Sequence, residues 1–189
     1  MKIIGFVYQE KESAIGIPHS DFNDGWEMVL KGDSCLLNGR KPFFVPDWTN
    51  EVGVTPCLIL RVSRLGKEIA PKFADRYYDA VAPGEDFIAM DIAREAEKAG
   101  KPWTKAIAFD YSLAIGEWIN NDEMSATPLL NDELIISPDQ AISQASKVMT
   151  IRQGDLIYIQ AQQAPRRVEK EEVLRIEIEG EEKLYCKIK

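Results

Sequence analysis

Val52-Gly53-Val54-Thr55-Pro56-Cys57-Leu58-Ile59-Leu60-Arg61-Val62-Ser63 alternates along its length, with Val52, Val54, Leu58, Leu60 and Val62 on one side and Thr55, Cys57, Ile59, Arg61 and Ser63 on the other. A period of two is that of a β-strand. Pro56 has no N–H to give a neighbour, so the strand is expected to be unpaired on one side there, at its start or at a sheet edge.

Outward from this strand the chain is mostly short extended segments. Lys2 to Val7 is apolar and β-prone, and Asp155 to Ile159 reads as another strand. Ser34–Leu37 and Pro42–Val45 flank Asn38-Gly39, the dipeptide that a tight hairpin turn prefers, so a hairpin is expected there. The tail predicts a second hairpin: Leu174, Ile176 and Ile178 alternate before Gly180, and Leu184, Cys186 and Ile188 alternate after it. Two helices interrupt the pattern. Asp91 to Lys98 opens on an acid and closes at Gly100 and Pro102. Ser137-Pro138-Asp139 supplies an N-cap and a proline at the first helical position, before Ala141, Ile142, Ala145, Val148 and Met149 at the spacing of one buried face. Strands outnumber helices, so the class is α+β with a mixed sheet, and residues 1–189 read as one domain.

Composition excludes several functions. The 23 Lys and Arg against 31 Asp and Glu give a net charge of −8, which repels the phosphates of nucleic acid and anionic membranes. No run approaches the ~20 apolar residues of a membrane helix. Cys35, Cys57 and Cys186 form no CxxC pair and follow no secretory leader, which points to a reducing cytoplasm. The single histidine, His19, sits in a polar stretch from Gly16 to Gly25 that reads as a loop, so imidazole-based triads and histidine-rich zinc sites are not expected.

Several stretches, in order, resemble the fumarylacetoacetate hydrolase family: Lys41-Pro42-Phe43-Phe44-Val45-Pro46-Asp47, Arg61 to Ile69, Lys72 to Asp79, Gly84-Glu85-Asp86-Phe87, Lys101-Pro102-Trp103, Phe109-Asp110 with Gly116, and Gly154-Asp155-Leu156-Ile157. The resemblance implies a strand-rich mixed β-roll of the family's C-terminal-domain type. It also implies metal-dependent hydrolysis, decarboxylation or isomerisation of β-diketo and oxo acids, Mg²⁺ or Mn²⁺ if the site is active, and a homodimer or a heterodimer with an intact relative.

The family's chemical residues are largely missing from the matching positions. Its Glu-x-Glu pair holds a divalent ion because residues i and i+2 of a strand point the same way. Those positions fall on Thr55 and Cys57, which leaves Asp86 as the one ligand position still filled by an acid. The family arginine before Asp91 is Met90, and the lysine two residues before Phe-Asp is Ile107. Lys105 would share the face of Ile107 if that segment were extended. Tyr111 stands where the family has glycine, and Ile159-Gln160-Ala161-Gln162 replaces its Thr-Gly-Thr-Pro turn. Gln9 to Ser13 carries no histidine where the family often has a base, and the segment between Ile119 and Ser137 is shorter than usual.

The former pocket is therefore Thr55, Cys57, Asp86, Met90, Ile107, Tyr111 and Gln160, and no tight hard-metal site is expected. The leading expectation is a catalytically impaired member with a binding or assembly role, in which Asp86 is satisfied by backbone N–H groups and Cys57 is a core side chain. The alternative is an active enzyme with an altered site. Cys57, Asp86 and Asp91, with Asp110 or Glu85, would then hold a softer ion, or Cys57 would act as a nucleophile activated by Arg61; Lys105 and Cys57 are its catalytic candidates.

Overall fold

The alternating strand through Val52–Val62 is the spine of the molecule. In the computed structural model, which describes residues 1–8, 25–120 and 133–189, β4 (Val52–Val62) is flanked along its whole length by β5 (Tyr78–Ala89) and on its other side by β8 (Leu156–Gln160) and β9 (Arg166–Arg167). Pro56 is unpaired on one side, as expected, but it is neither at the start of β4 nor at an edge. It sits at the join where β8, pairing from Cys57 onward, gives way to β9, pairing at Gly53 and Val54, so its missing N–H breaks no ladder. Its carbonyl still accepts from the Ala161 N–H at 2.9 Å.

β1 (Ile3–Tyr8) lies parallel to β8, and β2 (Trp26–Lys31) runs antiparallel to β1 at the outer edge. On the far side β6 (Leu113–Ile115) pairs with β5 and takes β3 (Leu36–Asn38) parallel to itself, giving the order β2-β1-β8-β4-β5-β6-β3. The short β7 (Ile119–Asn120) also pairs with β5. The sheet is mixed, as the sequence predicts.

The hairpin expected around Asn38-Gly39 does not form. Gly39 does take the left-handed conformation at φ +72, but β3 pairs with β6, and Phe43 bridges to Ile188 at the far end of the chain. The local turn is real; long-range partners claim both of its flanks. The C-terminal hairpin does form, from β10 (Val173–Ile178) and β11 (Glu181–Lys187), with Glu179 and Gly180 both at positive φ as its tight turn requires.

α1 (Met90–Lys98) follows β5 directly, α2 (Thr104–Ile107) is a single turn, and α3 (Pro138–Val148) begins at a capping box between Ser137 and Gln140. Ala141, Ile142 and Ala145 of α3 pack with Leu58, Leu60, Ile157 and Ile159 of the sheet. Val148 does not join them: it is 62% exposed, because α3 ends there and the chain turns away at Met149. The other side of β4 buries Cys57 and Ile59 with Ile3, Tyr158 and Leu113. His19, Gln9–Ser13 and residues 121–132 of the shortened segment lie outside the described residues.

β1 and β8 are tied at one end by Asp155. Its carboxylate accepts from the Lys2 N–H at 2.9 Å, the Lys2 ammonium at 2.5 Å and the Arg152 N–H at 2.8 Å. Burial alone would raise this carboxyl, but the bonds from Lys2 and Arg152 outweigh it and hold it below the ordinary range. A carboxyl depressed in the folded state stabilises above its unfolded value of about 4, and that contribution is lost as pH falls through the folded value. Asp155→Ala should lose about 2 kcal/mol in urea unfolding at neutral pH, and the gap from wild type should close in acid; equal stability at neutral pH would refute the clasp.

Candidate functional site

The alternation that predicts β4 also builds the site. Thr55 lies opposite Asp86 across the β4–β5 ladder and Cys57 lies opposite Gln160 across the β4–β8 ladder, so all four share one face of the sheet. Tyr158, two residues before Gln160, joins that face. Thr55, Cys57, Asp86, Tyr158 and Gln160 are all buried.

One further residue completes the group, and the sequence did not announce it. Lys31, the last residue of β2, places its ammonium 2.5 Å from Asp86 Oδ1, 3.0 Å from the Ser112 carbonyl and 3.1 Å from Ser112 Oγ, with its side chain 0% exposed. β2 and β5 are separated by β1, β8 and β4. At ordinary strand spacing that is about 19 Å in a flat sheet, beyond the joint reach of a lysine and an aspartate, so the sheet must curl into a roll with this face inside.

The other Asp86 oxygen accepts from Gln160 Nε2 at 2.7 Å, and Gln160 Oε1 accepts from the Tyr8 N–H at 2.7 Å. The satisfying groups on Asp86 are therefore side chains, not the backbone N–H groups expected from the sequence. A strand-interior carboxylate faces across the sheet, where side chains reach it and backbone amides are already committed to ladders. The Tyr158 ring closes the group, with the Lys31 ammonium 5.6 Å from its centroid. Its hydroxyl is fully buried and faces Asp86 without reaching hydrogen-bond geometry; burial first, and then the charge of Asp86, push the phenol well above its usual range.

Cys57 is fully buried, and burial, followed by the negative charges of Asp86 and Glu85, raises its thiol well above the ordinary range against a smaller opposing pull from Lys31. A thiol held protonated is no nucleophile. Arg61 does not activate it: the guanidinium bonds Asp79 Oδ1 at 2.7 Å and stacks 5.3 Å from the centre of the Trp118 ring.

Lys105 is excluded for a different reason. The segment is the helical turn α2, so residues 105 and 107 do not share a face, and the Lys105 ammonium lies over the Trp48 ring at the surface, 5.3 Å from its centre. Ile107 is buried, and its carbonyl accepts from Ser112 Oγ at 2.9 Å, which orients Ser112 toward Lys31. Met90 packs over Gly53, where a Cβ would come within 2.6 Å of its sulfur. Tyr111 does not fill the pocket. It is 55% exposed, held at φ +63 with its N–H on the Ser34 carbonyl at 3.0 Å.

The softer-ion alternative also fails on geometry. Asp91 faces the start of α1, where burial is outweighed by bonds from the Asn50 N–H, the Thr49 hydroxyl and its neighbours, and its carboxyl is held low. Asp110 is exposed, and Glu85 alternates to the opposite side of β5 from Asp86. Among the described residues no three His, Cys, Asp or Glu side chains come together as a metal site.

Residues 5–189 match the family model described as "Fumarylacetoacetate (FAA) hydrolase C-terminal". The chain belongs to the fumarylacetoacetate hydrolase family. Among curated relatives, the mitochondrial oxaloacetate tautomerase FAHD1 of Bos taurus is 26% identical over 145 residues, covering 69% of this chain and 66% of that protein. The Mus musculus counterpart is 23% identical over 177 residues, covering 86% and 80%. In fold, the chain superposes on the fumarylpyruvate hydrolase of Pseudomonas aeruginosa solved with Mn²⁺ and pyruvate, with a TM-score of 0.74 at 17% identity over 99% of this chain and 88% of that one. It superposes likewise on a 5-carboxymethyl-2-hydroxymuconate delta-isomerase of Mycobacterium smegmatis, with a TM-score of 0.75 at 17% identity over 99% and 78%. At such identity the likeness is one of fold. The β-roll expected from the sequence is the family's architecture, and no helix among the described residues is long and apolar enough to cross a membrane.

The residues present do not fit the divalent ion that the family resemblance implies. Asp86 has a donor on each oxygen, and its companions on the face are a hydroxyl and a protonated thiol. Mg²⁺ and Mn²⁺ prefer several hard, charged oxygens, and this donor set offers one carboxylate that is already engaged.

Proposed function

We propose that this fumarylacetoacetate hydrolase-family protein has lost the metal-dependent chemistry of its relatives and keeps the fold for a binding or assembly role, as a homodimer or with an intact relative, in the cytoplasm. One observation carries the reading: on the buried face where two glutamates would join Asp86 on a divalent ion, the chain presents Thr55 and Cys57, and Asp86 is spent on an internal ion pair. Metal-assisted hydrolysis or tautomerisation needs an ion to polarise the carbonyl and a group to move a proton. The Cys57 thiol and the Tyr158 phenol are both held protonated and both buried, so neither serves as that base at neutral pH.

The test is turnover. Purified protein with oxaloacetate or an acylpyruvate, in Mg²⁺ or Mn²⁺, should match the rate of buffer alone, and light scattering should give twice the 21.4 kDa of one chain. Metal-dependent turnover would overturn the loss of chemistry, and a monomeric mass with no relative bound would overturn the assembly role.

A further inference from the structure

We propose that Lys31 is the resident cation of the Asp86 site, a chain-borne positive charge that neutralises the carboxylate in place of a dissociable divalent ion. The inference rests on the functional reading in placing the site at Asp86, but it makes a separate claim about what holds that site together.

The geometry is that of a closed shell. The Lys31 ammonium has three protons and three acceptors in range: Asp86 Oδ1, the Ser112 carbonyl and Ser112 Oγ. Ser112 Oγ spends its own proton on the Ile107 carbonyl, which leaves its lone pairs turned to the lysine. Gln160 takes the second Asp86 oxygen and is itself fixed by the Tyr8 N–H. The face of the Tyr158 ring lies toward the same ammonium, a further favourable contact for a cation.

A buried ammonium persists only when its charge is matched and its protons are satisfied, and both conditions hold here. The same is true of Asp86. Each member is complete with the other and is left as an uncompensated buried charge without it. An incoming divalent ion would have to displace the ammonium and strand it inside the roll, and neither Thr55 nor Cys57 brings a charge to offset that loss.

Melting temperatures of wild type, Lys31→Met, Asp86→Asn and the double variant, with wild type also measured in millimolar Mn²⁺, test this. Each single change should lower the melting temperature by about 10 °C, the double variant should fall well short of the sum, and Mn²⁺ should leave wild type unmoved. Additive losses would overturn the proposal, as would a rise of several degrees in wild type with Mn²⁺. If the single variants are insoluble, a folded double variant still supports the pair, and an insoluble one refutes it. Mn²⁺ electron paramagnetic resonance on wild type reads the metal independently of folding, and a bound ion at near-equal stoichiometry would also overturn it. Metal-free turnover by wild type would refute the functional reading and leave this inference standing, whereas bound Mn²⁺ without turnover would do the reverse.

Discussion

Gly5→Ala should destabilise the protein by about 3 kcal/mol or more, lowering its melting temperature by roughly 10 °C. Gly5 of β1 lies directly beside Tyr158 of β8 in the parallel ladder. A Cβ at position 5 would fall 2.2 Å from Cζ, 2.3 Å from Cε1 and 2.4 Å from the hydroxyl oxygen of that ring. Tyr158 is 0% exposed and is packed among Ile3, Cys57, Ile59 and Leu113, so the ring has no room to withdraw. Displacing it would also move the aromatic face away from Lys31. Tyr158→Phe should not rescue the variant, because ring carbons as well as the hydroxyl are in the way. Tyr158→Ala, itself costly in wild type, should add little in the Gly5→Ala background because it removes the obstacle. Thermal melts of the four proteins decide the matter, and a Gly5→Ala variant melting within a couple of degrees of wild type would show that the ring does not lie over β1.

That constraint was invisible in the sequence, where Gly5 is one small residue in an apolar run. What could be read from it were features whose cause is local. The alternation of β4, the N-cap and proline that open α3, and the Gly180 turn each depend on residues within a few positions, and each forms where expected. Readings failed where a distant partner decided the outcome. Asn38-Gly39 bends the chain, but β6 and the C-terminal tail take the strands on either side. At Lys105 a single helical turn replaced the assumed strand and rotated the side chain out to Trp48.

The site divides in the same way. That Thr55, Cys57 and Asp86 share a face follows from period two and the family register. Lys31 is 55 residues from Asp86 and four steps away across the sheet. Its one local signal is a lysine ending the apolar run Met28-Val29-Leu30 before Gly32, a pattern that usually marks a strand emerging into solvent. Only the curl of the roll turns that end inward.

Restoring the absent carboxylates should restore metal binding. In Thr55→Glu/Cys57→Glu, two acids project from β4 onto the face that carries Asp86. Without metal the variant should be less stable than wild type by several kcal/mol, since two carboxylates enter a buried face with only Lys31 to offset them. The charges then favour a dication, because three carboxylates, one ammonium and one divalent ion sum to zero. Mn²⁺ at a hundredfold excess over its dissociation constant should return about 2.7 kcal/mol. That is a rise of about 5–10 °C in melting temperature for a domain of this size, and wild type should show none. Adding Lys31→Met to the pair should tighten Mn²⁺ by at least about tenfold, because a nearby fixed positive charge no longer opposes the ion. If the double glutamate variant melts at the same temperature with and without Mn²⁺, the ligand pair alone does not make this face a metal site.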